Sequence, residues 1–240
     1  MITFRDKIWA IIPSAGLGTR FGTQMPKQYS LLEGKTVIEH SVQRFLDQDW
    51  IEKIVVPLSP ADQWFSKLSI SKSPKLSIIQ GGSTRQESVL NGLYHLSQFS
   101  DPNEWVFVHD ACRPCLCPTD LVNLAEAICV SDGVGGILAA PIPDTVKYAE
   151  SFLIQKTQDR TLLWRALTPQ VFKIGLLREA LKKCALNQVP VTDESSAIEY
   201  LGLKPRIVEG KATNIKITCQ TDLLLASCII KSFKETLVCE

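Results

Sequence analysis

The chain has 240 residues, 45% hydrophobic and 21% charged, with a formal net charge of +1. This is the balance of an ordinary soluble globular protein long enough to bury a substantial core. It carries no global field for nucleic acid or an anionic membrane surface, so any positive potential must be local. At the start, Arg5, Asp6 and Lys7 precede only a short apolar run. That pattern fits neither a secretory leader nor a membrane span, and the cytoplasm is the expected compartment.

Residues 8–13 read as a buried strand that empties into a glycine loop, Pro13-Ser14-Ala15-Gly16-Leu17-Gly18-Thr19-Arg20-Phe21-Gly22, followed by Pro26-Lys27-Gln28. Glycines at a strand exit let backbone N–H groups approach a ligand, and Arg20 and Lys27 add full positive charge, which suits a triphosphate. A dinucleotide fingerprint needs glycine at position 21, and a P-loop around Gly34-Lys35-Thr36 needs one at position 29; Phe21 and Tyr29 stand there. On its own the loop fits a plain strand-to-helix turn with two solvated cations equally well.

Residues 36–47 place Ile38, Val42, Phe45 and Leu46 on one helical face, and 53–58 and 75–80 read as strands. Gly81-Gly82-Ser83 then opens a helix over 83–97 with Ser83 as its N-cap. Gly82 there would admit a planar base and Ser88 would offer a hydroxyl. Strand 105–109 ends in His109-Asp110-Ala111-Cys112-Arg113-Pro114. An aspartate at a strand end facing phosphates suits Mg²⁺, and Arg113 could grip a phosphate with two N–H groups; an Asp–Arg pair tying down a loop fits the residues as well. His109 reads as a structural residue.

Pro118 starts another helix, 134–141 is a strand, and 142–168 breaks the rhythm with extended pieces around 145–148 and 152–156. We expect a hairpin arm over about 142–165, too small to be stable alone and so packed on a partner subunit. Thr192 or Asp193 caps a helix over 193–202, with Glu194 on its positive dipole end. Residues 215–218 read as a last strand, in which Lys216 needs an anionic partner. The final helix begins near Thr221-Asp222 and presents Leu224, Leu225, Ile229 and Phe233.

Eight cysteines lie at 112, 115, 117, 129, 184, 219, 228 and 239, with no second ligand pair at structural-zinc spacing after the first group. They read as reduced, mostly buried thiols.

Alternating strands and helices imply an α/β fold, one domain over 1–240 with a mostly parallel sheet covered on both faces. Ligands bind such sheets beyond the carboxyl ends of the strands, where the 13–20 loop, Gly81-Gly82-Ser83, His109-Asp110 and Asn214-Ile215-Lys216 gather. No nucleophile elbow, Cys–His pair or HExxH helix is present. One reaction class needs none of them. A phosphate monoester with a second pKa of about 6 is already dianionic at neutral pH and can attack phosphorus without a base. The protein must then bring polyanions together and neutralise growing charge, work for Arg20, Lys27, Arg113, Arg160 and Lys216.

Eight ordered motifs carry a resemblance: P-S-A-G-L-G-T-R-F-G (13–22), P-K-Q-Y (26–29), G-G-S-T-R-Q-E-S-V (81–89), H-D-A-C-R-P (109–114), P-I-P-D-T-V-K (141–147), D-R-T-L-L-W-R-A-L-T-P-Q (159–170), V-T-D-E-S-S-A-I-E (191–199) and V-E-G-K-A-T-N-I-K-I-T (208–218). The chain resembles the 2-C-methyl-D-erythritol 4-phosphate cytidylyltransferases from about Ile11 to the final helix. The resemblance implies a Rossmann-like nucleotidyltransferase fold whose hairpin arm clasps a second subunit in a homodimer. CTP would lie on Pro13, Ala15, Gly16, Gly18, Thr19, Arg20 and Lys27, with its base near Gly82 and Ser88 and further contacts from Asp110 and Lys216. Asp110, Arg113, Thr145, Thr168, Thr192 and Lys216 would hold the methylerythritol phosphate, and Arg160 would reach it from the neighbouring arm. Arg20, Lys27, Lys216 and Arg160 would be the catalytic set, with Mg²⁺ or another divalent ion on Asp110. Ser14 and Cys112 replace the family's usual alanines, and Ser83 stands where an acidic residue often sits. A ribitol 5-phosphate cytidylyltransferase and a catalytically silent nucleotide-binding protein are the alternatives.

Overall fold

A computed structural model describes residues 7–16, 25–129 and 133–238, with the side chains of 234–238 left aside. In chain order its elements are β1 (Ile8–Ile11), β2 (Leu31–Leu32), β3 (Lys35–Thr36), α1 (Val37–Leu46), β4 (Ile51–Leu58), β5 (Leu76–Gln80), α2 (Arg85–Leu96), β6 (Trp105–Val108), α3 (Pro118–Cys129) and β7 (Gly135–Pro141). There follow β8 (Lys147–Glu150), β9 (Leu153–Thr157), β10 (Trp164–Lys173), α4 (Ile174–Leu186), α5 (Glu194–Tyr200), β11 (Arg206–Glu209) and α6 (Gln220–Val238).

Alternation of side chains along a strand explains the layering. In β1, Ile8 and Ala10 face a core shared with Ile38, Val42 and Phe45 of α1 and Leu121 and Leu124 of α3. Trp9 and Ile11 face the opposite core, with Val89 and Leu93 of α2, Leu177 and Leu181 of α4 and Ile198 of α5. Both faces of β1 are therefore covered, and all four of its residues are buried. The sheet order is β11-β7-β10-β6-β1-β4-β5, and every pairing is parallel except the two made by β10. The mostly parallel α/β sheet expected from the sequence is what the chain forms.

Several local expectations need correction. Residues 215–218 are not a strand: the Ile217 N–H donates to the Cys112 carbonyl at 2.8 Å, and Ile217 alone of that run is fully buried, in a small cluster under α6. A short apolar run does not distinguish a strand from a loop pinned by one side chain. Ser83 does not cap α2. Thr84 does, accepting from the Glu87 N–H at 3.1 Å, while the Ser83 hydroxyl and N–H both donate to Glu87 Oε2.

For α5 the cap is Asp193, in a reciprocal box with Ser196, and the helix ends at Tyr200. In α6 the inward face is Ala226 and Ile230, whereas Leu224 and Leu225 are exposed and Phe233 covers the Arg44 guanidinium. The sequence reading also lacked β10, α4 and β11. Over 142–168 it fares better, since β8 and β9 form a two-stranded antiparallel hairpin that is exposed along its whole length.

Candidate active site

Loops leaving β1, β5 and β6 meet the segment before α6 around a cavity of about 320 Å³. The first loop is held by Gln28, whose buried amide donates to the carbonyls of Ser14 at 3.0 Å and Gly16 at 3.2 Å. The second loop presses against the first. A Cβ on Gly81 would sit 2.6 Å from the Ala15 Cβ, and one on Gly82 would strike Glu87, so neither position tolerates a side chain without movement. Lys27 reaches from the turn 27–29 to donate to the Ile217 carbonyl at 2.9 Å, bringing the C-terminal segment onto the first loop.

A second cavity of about 250 Å³ adjoins this one, and Arg85, Asp110 and Lys216 line both. Asp110 is the electrostatic centre. Its Oδ1 accepts from Arg85 Nε at 2.9 Å, and its Oδ2 accepts from Lys216 Nζ at 2.9 Å and from Arg113 Nε at 3.4 Å. Burial opposes a charge on this carboxyl, yet Arg85, then Lys216, then Arg113 hold it well below the usual carboxylate range. The anion that Lys216 required is thus Asp110. Arg113 also donates to the Asn214 carbonyl at 2.8 Å, which fixes the loop that carries Lys216.

His109 is fully buried, and burial pushes its pKa down to about 4. Its Nε2 lies 3.1 Å from the Arg113 carbonyl, which can only accept, so Nε2 carries the proton and Nδ1 accepts from the Thr168 hydroxyl at 3.0 Å. Thr168 Oγ1 in turn accepts from the Asp110 N–H at 3.1 Å. The imidazole is therefore a neutral structural spacer that fixes Thr168 beside Asp110. Ser88 is similarly committed: its buried hydroxyl accepts from the Gly82 N–H and donates to the Thr84 carbonyl, so one lone pair remains for a ligand.

Of the residues singled out from the sequence, Pro13, Ala15, Gly16, Lys27, Gly82, Ser88, Asp110 and Lys216 line the first cavity. Asp110, Arg113, Thr168, Thr192 and Lys216 line the second. Thr145 and Arg160 line neither; both are exposed near the arm, and the Arg160 guanidinium donates to the Pro143 carbonyl. Gly18, Thr19 and Arg20 lie outside the described residues, as does the loop around Thr23 and Gln24. Among the described residues no group of three or more His, Cys, Asp or Glu side chains is placed to hold a metal. Cys112, Cys115 and Cys117 are free thiols that do not converge: Cys117 contacts Thr119 and Lys211, and burial pushes Cys112 up to about 11.

Sequence reasoning missed Arg85, Glu194 as its partner, and Gln28. All three stand inside quoted motifs, but a pairing across 109 residues leaves no local signal.

The family model described as IspD, 2-C-methyl-D-erythritol 4-phosphate cytidylyltransferase, matches residues 8–232. Two proteins of that name are similar to the chain: one from Haemophilus ducreyi, 46% identical over 92% of this chain and 94% of its own, and one from Blochmanniella pennsylvanica, 46% identical over 95% and 97%. The crystal structure of the protein so named from Francisella tularensis superposes with a TM-score of 0.80 at 36% identity, covering 93% of this chain and 99% of its own. Motif order, sheet topology and near-complete coverage agree, and the chain belongs to the 2-C-methyl-D-erythritol 4-phosphate cytidylyltransferase family.

Proposed function

We infer that this chain transfers the cytidylyl group of CTP to 2-C-methyl-D-erythritol 4-phosphate, releasing pyrophosphate. Family membership over residues 8–232 carries the reaction. The local support is two adjoining cavities that share Asp110 and Lys216, a layout suited to a nucleotide on one side and a phosphorylated polyol on the other. In the proposed chemistry an oxygen of the acceptor phosphate forms a bond to the α-phosphorus. The bond from that phosphorus to the bridging oxygen breaks, and the electron pair leaves with pyrophosphate. No base is required, because the attacking phosphate is already ionised.

In this reading the backbone of Pro13, Ala15, Gly16, Gly18 and Thr19 cradles the triphosphate, and Gly82 and Ser88 bound the base. Arg20 and Lys27 neutralise the transition state. Lys216 works at the junction, while Asp110, Arg113, Thr145, Thr168 and Thr192 orient the acceptor. Mg²⁺ would shield charge on the nucleotide. The residues fit an ion that arrives on the triphosphate better than one caged by protein. Mg²⁺ is bound by one or two carboxylates plus substrate phosphates, and Asp110, whose Oδ2 is taken by Lys216 and Arg113 and whose Oδ1 already accepts from Arg85, has one lone pair on Oδ1 to offer it.

Purified protein supplied with Mg²⁺, CTP and methylerythritol phosphate should release pyrophosphate, and should do so far more slowly with ATP, GTP or UTP, or with ribitol 5-phosphate as acceptor. Turnover on ribitol 5-phosphate alone would reassign the acceptor; inactivity with every pair would leave a silent nucleotide-binding protein.

The arm suits a homodimer, since Tyr148, Phe152, Leu153 and Ile154 are exposed on a hairpin that buries nothing of its own. Arg160, which lines neither cavity of its own chain, would then complete the partner's site. Mixing inactive Lys27→Ala and Arg160→Ala subunits one to one should restore about a quarter of wild-type activity: half the dimers are mixed, and each has one intact site. No recovery despite verified exchange would defeat the shared site. Among the described residues no helix is long and apolar enough to cross a membrane, and a cytoplasmic location is proposed with the function.

A further inference from the structure

Three side chains line both cavities, and the transfer reading gives work to Asp110 and Lys216 but none to Arg85. Arg85 is the first residue of α2, where a cation opposes the helix dipole. Its place there is explained by what it holds. Nη1 and Nη2 donate to Glu194 Oε1 at 2.7 Å and Oε2 at 3.0 Å, and Nε donates to Asp110 Oδ1 at 2.9 Å. The Glu194 side chain is 1% exposed and belongs to α5 on the far side of the second cavity. We propose that Arg85 is a positioning residue, which uses the two-pronged pair with Glu194 to fix the angle of the Asp110 carboxylate and, through it, the place of the Lys216 ammonium between the two cavities. The inference rests on the cytidylyl-transfer reading.

Geometry gives the reason. A planar guanidinium gripped by both oxygens of Glu194 has its remaining Nε–H direction fixed. Asp110 Oδ1 must meet that N–H, so Oδ2 is aimed at Lys216 and Arg113. Lys216 needs this aim. Its side chain is 41% exposed, on a segment without regular structure, and a flexible four-carbon stem puts its charge wherever a partner holds it. A purely structural Arg85 would only have to neutralise Glu194, which any buried cation of similar reach could do.

The test separates these roles in the complete enzyme by measuring Tm, kcat and KM for both substrates. Arg85→Lys keeps the charge but not the three-pronged geometry; we expect kcat to fall about 100-fold, as for a ~1 Å misplacement of a reacting group, with KM for CTP changed less than about threefold. The double variant Arg85→Leu with Glu194→Leu removes both buried charges together. It should recover Tm to near that of wild type and leave kcat at the low value. A kcat within about threefold of wild type in a folded Arg85→Lys protein would overturn the proposal. So would a double variant that regains kcat along with Tm, since a structural prop is all that would then have been lost. Wild-type enzyme runs in the same assay: if it is itself inert toward CTP and methylerythritol phosphate, the transfer reading falls first and takes this inference with it, whereas an active wild type confines any failure to Arg85.

Discussion

Replacing Asp110 with asparagine should cut turnover on the order of 100- to 1,000-fold and destabilise the fold by about 3–5 kcal/mol, roughly 6–20 °C in Tm for a chain of this size. The substitution is nearly isosteric, so the loss is electrostatic. In the wild type one buried carboxylate sits among Arg85, Lys216 and Arg113. An amide removes the carboxylate those three cations share, leaving only Arg85 a carboxylate partner among the described residues, Glu194, and its NH₂ group offers two donors where only acceptors fit. Lys216 is part-exposed and water screens its share, and Arg85 keeps Glu194, so most of the cost falls on Arg113.

The pH dependence follows from the depressed pKa. In the unfolded chain the carboxyl titrates near its ordinary 3.8, while in the folded protein it stays ionised to far lower pH. Protons below about pH 4 therefore bind the unfolded state preferentially, and the contribution of Asp110 is present above that pH and drains away as pH falls. Thermal melts of wild type and Asp110→Asn should differ most from pH 5 to 8, and the gap should begin to narrow only below about pH 4. A gap under about 2 °C at pH 7 would mean that the carboxylate does not organise this cluster.

How much of this arrangement could be read from the chain differs from residue to residue. The start of the glycine loop after β1, Pro13 to Gly16, was legible as a cavity wall because an apolar run that empties into small residues is a local signal. Lys216 announced that it needed an anion, but its partner is Asp110, 106 positions away, and only the fold identifies it. Glu194 shows the opposite failure. Its place at the start of α5 offered a complete local account in the helix dipole, which concealed the longer-range bond to Arg85.

Among the missed elements, β10 carries Arg165, Thr168, Pro169 and Gln170 within a strand that is paired on both sides, and its ladder with β7 shifts register between Ala166 and Gln170. That interruption hides the alternation a strand normally shows. At the sheet edge, β11 has four residues, none of them buried, too few and too polar to stand out. In α6, Leu224 and Leu225 lie beside Ala226 and Ile230, so apolarity runs round the helix and its phase could not be read. Fold class is written in the order of elements. The wiring of the site is written in contacts between distant ones.

Lys27→Ala should separate catalysis from stability in the other direction, with kcat falling on the order of 1,000-fold while Tm stays within a few degrees of wild type. Among the described residues the other cations lining the two cavities are already spoken for: Arg85 by Glu194 and Asp110, Arg113 and Lys216 by Asp110. Lys27 has no carboxylate partner there. Its one described bond, to the Ile217 carbonyl, is worth about 1–2 kcal/mol at most, and its loss leaves a carbonyl, not a buried charge. The turn that carries it is held by neighbours, by Gln28 on the first loop and by the Tyr29 hydroxyl donating to Asp62 at 2.5 Å, so truncation at 27 leaves the backbone in place.

An ammonium without a carboxylate partner among the described residues, beside the proposed phosphate cradle, gains most when negative charge grows. Its removal should therefore weigh on the transition state by about 4 kcal/mol and on CTP binding by less. Lys27→Arg, which keeps the charge and changes its geometry, should fall between the two. If Lys27→Ala retains more than about a tenth of wild-type kcat, or melts as early as Asp110→Asn, the lysine is a strut between the first loop and Ile217, and the charge that drives transfer must come from elsewhere.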